Sequence, residues 1–561
     1  MDGVPFYVRN QCKPSQLGLS ICSGERFRRA HRGCLSRDCY TDWVTGYHVE
    51  NFGCRASQAD GDAIAAGLEA LGACPADASA LPDVVVVNTC SVTAEADRDA
   101  RAYIRRIQRG NPHARIVVTG CYAQRASKEI AALPGVFAVV GNSHKGQVAS
   151  MALTSLDQQS ASRPQQNRVS SGNENSRVAL ATSAQHFVPV ASLASAPNFG
   201  STRLPGAPAF VLAGDIFAHS DFELPSLPSS AINRLAKSSA AHRTRPTLKI
   251  QDGCGNRCTF CVIPSTRGNS RSLAKPQVLD SVERFIAAGG QEIVLSGINL
   301  GRWGRDLAPQ LRFEDLLAEI FETTALPRLR ISSVEPMDWT DGLIALLRRY
   351  GVAAATTHPR LARHVHMPLQ SGSDRVLRRM HRRYRPWHYA DRLAKVRGAC
   401  PDAAIGADVM VGFPGETDEE FRESYDFIAT QPLTYLHIFP FSARPGTRGW
   451  DLHRQNPVPR MAVKERMTAL NALIHQKNLA FRSGFVGKQL SAVTLLGPKE
   501  KTASGISPRT PAMRTPAMTD NFISVDLAAT LPPNLLVSAQ ITGLTPHGLS
   551  ATIPGKIRSI A

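Results

Sequence analysis

Residues 249–261 read Lys249-Ile250-Gln251-Asp252-Gly253-Cys254-Gly255-Asn256-Arg257-Cys258-Thr259-Phe260-Cys261, three cysteines spaced C-x3-C-x2-C. Thiolates are soft ligands suited to zinc or iron–sulfur, and a tight loop sets three of them on one face of a cluster at little cost in chain entropy. Structural zinc takes four protein ligands, and no histidine or further cysteine follows within the next dozen residues to close such a site. A 4Fe-4S cluster with one iron open to an exogenous ligand fits the spacing better than zinc. It also fits better than three incidental buried thiols, the ordinary fate of free cysteine.

Alternating strands and helices must hold this loop. Leu248-Lys249-Ile250 leads into the first cysteine, and strand-like runs recur at 292–297, 328–333, 364–369, 404–412 and 436–441, with helical stretches such as 277–288 and 418–430 between them. Six βα units fall short of the eight that close a full barrel, so an open partial barrel is expected, with its site at the carboxyl ends of the strands. Upstream, 47–54 reads as a strand, followed by a helix with Ile64, Leu68 and Leu71 on one face. Val84 to Val87 form a buried strand running into Asn88-Thr89-Cys90, an Arg-rich helix covers 94–109, and 116–121 repeats the pattern of strand into cysteine. In such a parallel sheet ligands gather at the carboxyl strand ends, so Cys54, Cys90 and Cys121 should converge as ligands of a second iron–sulfur cluster. Cys74 closes no strand and is read as a bystander.

The chain has 561 residues and a formal net charge of +19, with 65 Lys and Arg against 46 Asp and Glu. That length exceeds one core, and the charge favours a polyanionic partner such as RNA, although a solvated basic surface would show the same excess. Two arginine groups stand out, Arg101, Arg105, Arg106 and Arg109 on the 94–109 helix, and Arg378, Arg379, Arg382 and Arg383. Each is a candidate for phosphate attraction, or a solvated helix face. No apolar run approaches the ~18 residues that span a bilayer and no secretory signal is evident, so twelve cysteines point to a reducing cytoplasm and to metal rather than disulfides. The expected divisions are an extension of unassigned role at 1–44, an α/β domain at 45–150, a Ser-, Gln- and Pro-rich linker at 151–242, the partial barrel at 243–475, and a small antiparallel β-barrel at 476–561 with an inserted mobile loop at 497–518. Within the linker, 208–212 is apolar enough to pack transiently.

Taken together, Gly53-Cys54-Arg55, Asn88-Thr89-Cys90, Thr119-Gly120-Cys121, the central array, Arg267-Gly268, Pro368-Leu369-Gln370-Ser371-Gly372-Ser373, Gly412-Phe413-Pro414-Gly415-Glu416-Thr417 and Phe441-Ser442-Ala443-Arg444-Pro445-Gly446-Thr447 resemble the radical S-adenosylmethionine (SAM) methylthiotransferases. The resemblance covers about 47–145 and 246–555, and the C-terminal barrel is similar to the RNA-binding TRAM domain, with Thr519-Asp520-Asn521 in its signature. The branch acting on N6-threonylcarbamoyladenosine at position 37 of tRNA matches best, through Asn51-Phe52-Gly53-Cys54-Arg55, Gln251-Asp252-Gly253-Cys254 and Ile331-Ser332-Ser333-Val334-Glu335-Pro336. Ala56-Ser57-Gln58 departs from the pattern, which carries Asn in the middle.

The resemblance implies that Cys254, Cys258 and Cys261 hold a 4Fe-4S cluster that binds SAM and splits it into methionine and a 5′-deoxyadenosyl radical. Cys54, Cys90 and Cys121 would hold a second 4Fe-4S cluster carrying the sulfur to be inserted at C2 of the adenine, and a second SAM would methylate that sulfur. Gly297, Asn299, Glu335, Gln370 and Asp408 are implied contacts of SAM. Arg444 would reach substrate or SAM, or form an ion pair, and Phe260 would shield the cluster or be core. The implied partners are the tRNA anticodon loop, an electron donor and a sulfur donor, with a cytoplasmic monomer and no membrane. The same chemistry on isopentenyladenosine in tRNA or on a ribosomal-protein aspartate, a radical SAM enzyme of different outcome such as a methylase, and a non-enzymatic zinc-containing RNA-binding protein are the alternatives.

Overall fold

The computed structural model describes residues 45–76, 80–153, 209–218, 244–352, 358–497 and 514–554. The expected extension at 1–44, most of the linker and most of the 497–518 loop lie outside them.

The N-terminal part is a six-stranded parallel sheet, β1 (Gly46–Asn51), β2 (Cys74–Pro75), β3 (Val84–Thr89), β4 (Arg115–Gly120), β5 (Val136–Val140) and β6 (Phe210–Leu212), in the order β2-β1-β3-β4-β5-β6. Consecutive valines suit β3 because both faces of a parallel sheet are covered. Val85 and Val87 pack with Ile104 and Tyr103 of helix α2 (Ala94–Gly110), while Val84 and Val86 pack with Ile64 and Leu68 of helix α1 (Arg55–Ala70). Three expectations change. Phe210–Leu212, placed in the linker, is the sixth strand beside β5. Leu71 follows the end of α1 and is exposed. Cys74 sits in an edge strand rather than a loop, but it is exposed, as expected of a bystander.

The six expected strands of the central part form as β7 (Thr247–Asp252), β9 (Glu292–Gly297), β10 (Arg328–Ile331), β11 (His364–His366), β12 (Ala404–Val411) and β13 (Tyr435–Pro440). A short antiparallel strand, β8 (Arg271–Ser272), edges β7. The sheets β10-β9-β7-β8 and β11-β12-β13 are stitched by single bridges Leu329 to Leu361 and Ser333 to His366, which continues them into one open partial barrel. The C-terminal part is a closed five-stranded barrel, β14 (Gln489–Thr494), β15 (Thr515–Thr519), β16 (Ser524–Leu527), β17 (Leu536–Thr545) and β18 (Gly548–Thr552), ordered β14-β15-β16-β18-β17. β15 falls inside the stretch expected to be a loop; Pro516 hides the strand signal there.

This small barrel is fastened to the amino ends of the central strands. Arg330 donates from Nε to Glu292 Oε1 at 2.8 Å and from its terminal nitrogens to the carbonyls of Thr519 and Asp520 at 3.0 and 3.1 Å. Arg363 pairs with Asp520, and Asn521 donates to the carbonyl of Asp402 at 3.4 Å. The Thr519-Asp520-Asn521 run thus builds the joint between the two barrels. Burial would raise the Glu292 carboxyl, but Arg330, Arg245 and Arg328 outweigh it and hold it down at about 2. Among the described residues no helix is long and apolar enough to cross a membrane.

Glu292→Gln leaves buried guanidinium charge uncompensated and should cost about 3–5 kcal/mol near pH 7. The ordinary glutamate value is 4.5 and the folded value about 2. The wild-type lead in thermal stability should therefore be full above pH 4.5 and disappear as pH falls toward 2, in parallel melts of the two proteins.

Candidate active site

Three strand ends bring Cys54, Cys90 and Cys121 together. Cys54 caps α1 after β1, Cys90 follows β3, and Cys121 opens a short helix, α3 (Cys121–Arg125), after β4. Two glycines make the approach possible. Gly53 has φ +105°, and a Cβ there would lie 2.6 Å from Cys90 Sγ; Gly120 has φ +97°, and a Cβ there would lie 2.2 Å from the carbonyl oxygen of Thr89. Burial, with Cys121 and Cys54 beside it, pushes the Cys90 thiol up to about 12.

Cys254, Cys258 and Cys261 follow β7 at the carboxyl end of the partial barrel, and burial likewise pushes Cys261 up to about 12. Backbone N–H groups point at both sets of sulfurs, Val92 to Cys90 at 3.5 Å, Asn256 to Cys254 at 3.4 Å and Ile263 to Cys261 at 3.4 Å. Such donors stabilise metal-bound thiolate, whereas burial without a cation leaves the thiols protonated. Four thiolates on one zinc at ~2.3 Å would lie about 3.8 Å apart. Among the described residues neither triad draws all three sulfurs within 4.8 Å of one another. The donor chemistry fits a polynuclear iron–sulfur cluster at each triad.

Arg267 joins the two halves. It is 1% exposed, donates from Nε to Cys121 Sγ at 3.3 Å, and pairs with Asp252 at 2.9 Å and with Asp60 of α1 at 3.0 Å. Lys145 and Lys249 also bind Asp60, and Lys249 binds Asp252 at 2.8 Å. Burial would raise both carboxyls, but these cations win and hold them well below the usual carboxylate range.

Around the central triad, Asn299 donates from Nδ2 to Cys254 Sγ at 3.6 Å and from its backbone N to Gln251 Oε1 at 2.6 Å; its Oδ1 is buried without a hydrogen bond. Gly297 lies against the same glutamine, where a Cβ would meet Gln251 Oε1 at 2.9 Å. Glu335 pairs with Arg382, which donates to Cys258 Sγ at 3.3 Å. Gln370 takes a left-handed φ of +66°, and its Oε1 is buried without a partner. Its backbone N donates to the carbonyl of Asp408 at 2.7 Å, and Asp408 stands beside His366 and His437. A cavity of about 350 Å³, lined by Cys258, Arg302, Glu335, Asp338, Arg382 and Tyr384, opens next to the central loop.

One arginine departs from its expected place. Arg382 is buried against Cys258, whereas Arg378 pairs with Asp374 but stays exposed, Arg379 is half-buried against Glu420 and Arg383 is exposed, so one member of the second arginine group is committed inside the protein. In the first group Arg101 binds Tyr122 and Glu129, while Arg105, Arg106 and Arg109 are exposed. Arg444 is an ion pair, with Asp97 of α2 at 2.8 Å, and Phe260 packs against the central core. Sequence reasoning missed Asp60, Lys145 and Lys249, which look like ordinary helix and strand residues until the domains meet. It also missed His366 and His437, whose signal is a His-x-His alternation on one strand and a histidine on its neighbour but one.

A cysteine loop at the carboxyl end of an open βα barrel, joined to an N-terminal α/β domain with a second cysteine triad, defines a radical SAM enzyme with an added N-terminal domain. Residues 248–428 match the model of the Radical SAM superfamily, and 46–141 match Uncharacterized protein family UPF0004. The threonylcarbamoyladenosine tRNA methylthiotransferase MtaB of Bacillus subtilis is 35% identical over 73% of this chain and 76% of its own length. That of Aquifex aeolicus is 30% identical over 80% and 92%. The tRNA-2-methylthio-N(6)-dimethylallyladenosine synthase of Thermobifida fusca is 31% identical over 90% and 88%. The chain belongs to the radical SAM methylthiotransferases.

Gly53→Ala forces a methyl group onto the Cys90 sulfur. Iron and sulfide bound after anaerobic reconstitution should fall by about half, because the central triad is untouched while the N-terminal one is displaced.

Proposed function

We propose that this enzyme converts N6-threonylcarbamoyladenosine at position 37 of tRNA to its 2-methylthio derivative, with two SAM molecules and two 4Fe-4S clusters. The observation that carries the chemistry is the presence of two cysteine triads, with Arg267 tying Cys121 of one to Asp252 on the strand that leads into the other; a radical SAM enzyme that inserted no sulfur would not need the second. The substrate reading rests on the two MtaB relatives and on the N-terminal and central cluster motifs.

Cys254, Cys258 and Cys261 would hold the cluster that binds SAM, and Cys54, Cys90 and Cys121 the cluster that carries sulfur. When bound, the clusters would supply the electron that splits SAM and the sulfur atom, and the two SAM molecules would supply hydrogen abstraction from an unreactive ring carbon and the methyl group. The chain's own residues orient them. Asn299 and Arg382 donate to sulfurs of the central triad, and Glu335 keeps Arg382 in place. Gly297, Asn299, Glu335 and Gln370 would meet SAM, with the unpartnered Asn299 Oδ1 and Gln370 Oε1 available to it. Arg105, Arg106 and Arg109, with the C-terminal TRAM-like barrel, would attract the tRNA backbone, a contribution that weakens with salt. An external electron donor and sulfur donor complete the reaction, and the enzyme works as a cytoplasmic monomer.

Nucleoside mass spectrometry of threonylcarbamoyl-modified tRNA, after anaerobic incubation with reconstituted enzyme, SAM and a reductant, should reveal the 2-methylthio nucleoside. Cys90→Ala should abolish that product while 5′-deoxyadenosine still forms, and Cys258→Ala should abolish both. Product on dimethylallyladenosine tRNA alone would move the enzyme to the branch of the Thermobifida fusca relative.

A further inference from the structure

Three neighbouring strands turn polar side chains toward one point in the barrel lumen. His366 of β11, Asp408 of β12 and His437 of β13 place one nitrogen or oxygen each within 4.8 Å of the others. Register sets their level: Asp408 lies opposite His437, and His366 lies opposite Gly406, two residues before Asp408. His366 Nε2 is buried, makes no hydrogen bond and lies 3.4 Å from Asp408 Oδ1. On the floor side Tyr435 shares a 2.7 Å hydrogen bond with His364 and lies over Gly406, and His364 stacks on Phe522 of the C-terminal barrel at 4.2 Å. On the other side His437 is exposed. From the N-terminal domain Arg55, next to Cys54, bears its positive charge on His364, Tyr435 and His437. One wall of the lumen therefore gathers two imidazoles and a carboxylate, within range of the Arg55 charge.

Resting on the substrate reading above, we infer that Arg55, His366, Asp408 and His437 form the receptor for the N6 substituent of the adenosine, an amino-acid urea bearing a carboxylate. The threonylcarbamoyl group presents a carboxylate, a hydroxyl and ureido N–H groups. Arg55 and the imidazoles donate to the carboxylate, and Asp408 accepts from the hydroxyl or a ureido N–H. A dimethylallyl group offers only C–H, so seating it here strips water from Asp408 and His366 and returns no hydrogen bond. Sites built around such bonds reject an analogue that lacks them by about 10⁴-fold. Asp408, expected at SAM, is assigned here to the substrate, and the four residues are positioning residues that fix which A37 derivative is accepted.

The test uses reconstituted full-length enzyme and synthetic anticodon stem-loops that differ only at position 37, bearing threonylcarbamoyladenosine, its carboxyl methyl ester or dimethylallyladenosine. His437→Leu should raise KM for the threonylcarbamoyl stem-loop at least about tenfold and leave kcat within about threefold, the pattern of lost ground-state binding. His437→Gln, which keeps a hydrogen-bonding tip, should recover part of the loss, and unchanged iron and sulfide content would show that the fold and clusters survive. The methyl ester should be a poor substrate of the wild type and be little affected by His437→Leu. An unchanged KM in both His437→Leu and Asp408→Asn overturns the proposal, as does one equivalent of zinc or another non-iron divalent metal that is lost in His437→Leu, which would make the group a metal site. Failure of the substrate reading has a separate signature, a wild-type enzyme that turns over the dimethylallyl stem-loop and ignores the threonylcarbamoyl one.

Discussion

Asp60, Asp252, Lys145, Lys249 and Arg267 are withdrawn from water where the N-terminal sheet meets the barrel, each of them 7% exposed or less. Taking five charges out of water is expensive, and only close pairing offsets it: Lys145 to Asp60 at 2.6 Å, Arg267 to Asp252 at 2.9 Å and Lys249 to Asp252 at 2.8 Å. Two of the residues belong to the N-terminal domain and three to the barrel, and Arg267 and Lys249 reach across to Asp60 to join the two sets. Removing a member strands the rest, typically at about 3–5 kcal/mol. The group carries one more cation than anion, and the surplus falls beside the Cys121 sulfur, where an anionic cluster would need it. Geometry of this kind fixes register, and what it registers is the position of one cysteine triad relative to the other.

A second joint of the same type lies at the opposite end of the barrel. Glu292 gathers Arg245, Arg328 and Arg330, and Arg330 and Arg363 reach the Thr519–Asp520 turn of the C-terminal barrel. Apolar packing fills each part separately, as the distinct cores of the sheet, the partial barrel and the small barrel show. The buried charges decide how those parts sit against one another.

Much of this was legible in the sequence because local rules dominate locally. The Val84–Val87 run, the strand-into-cysteine pattern at Cys90 and Cys121 and the six central strands all appear where alternation and β-branching place them. What escaped depends on partners distant in the chain. Phe210–Leu212 becomes a strand only because β5 offers an edge, and Thr515–Thr519 only because β14 and β16 accept it despite Pro516. Arg267 was noticed as a motif, yet its work shows only when residues 121 and 267 come within 3.3 Å. Arg382 read as surface charge because three arginine neighbours disguised one buried member.

The fastening of the C-terminal barrel has a consequence for dividing the molecule. Arg328 and Arg330 are fully buried, and they donate to Ser491 Oγ and to the backbone of Thr519 and Asp520. A truncation that ends the chain after the helix Arg460–Ser483 would uncover two guanidinium groups and the face of His364 on which Phe522 stacks. The small barrel is thus a structural floor for the catalytic lumen as well as an appendage, and it cannot be trimmed away as an independent module.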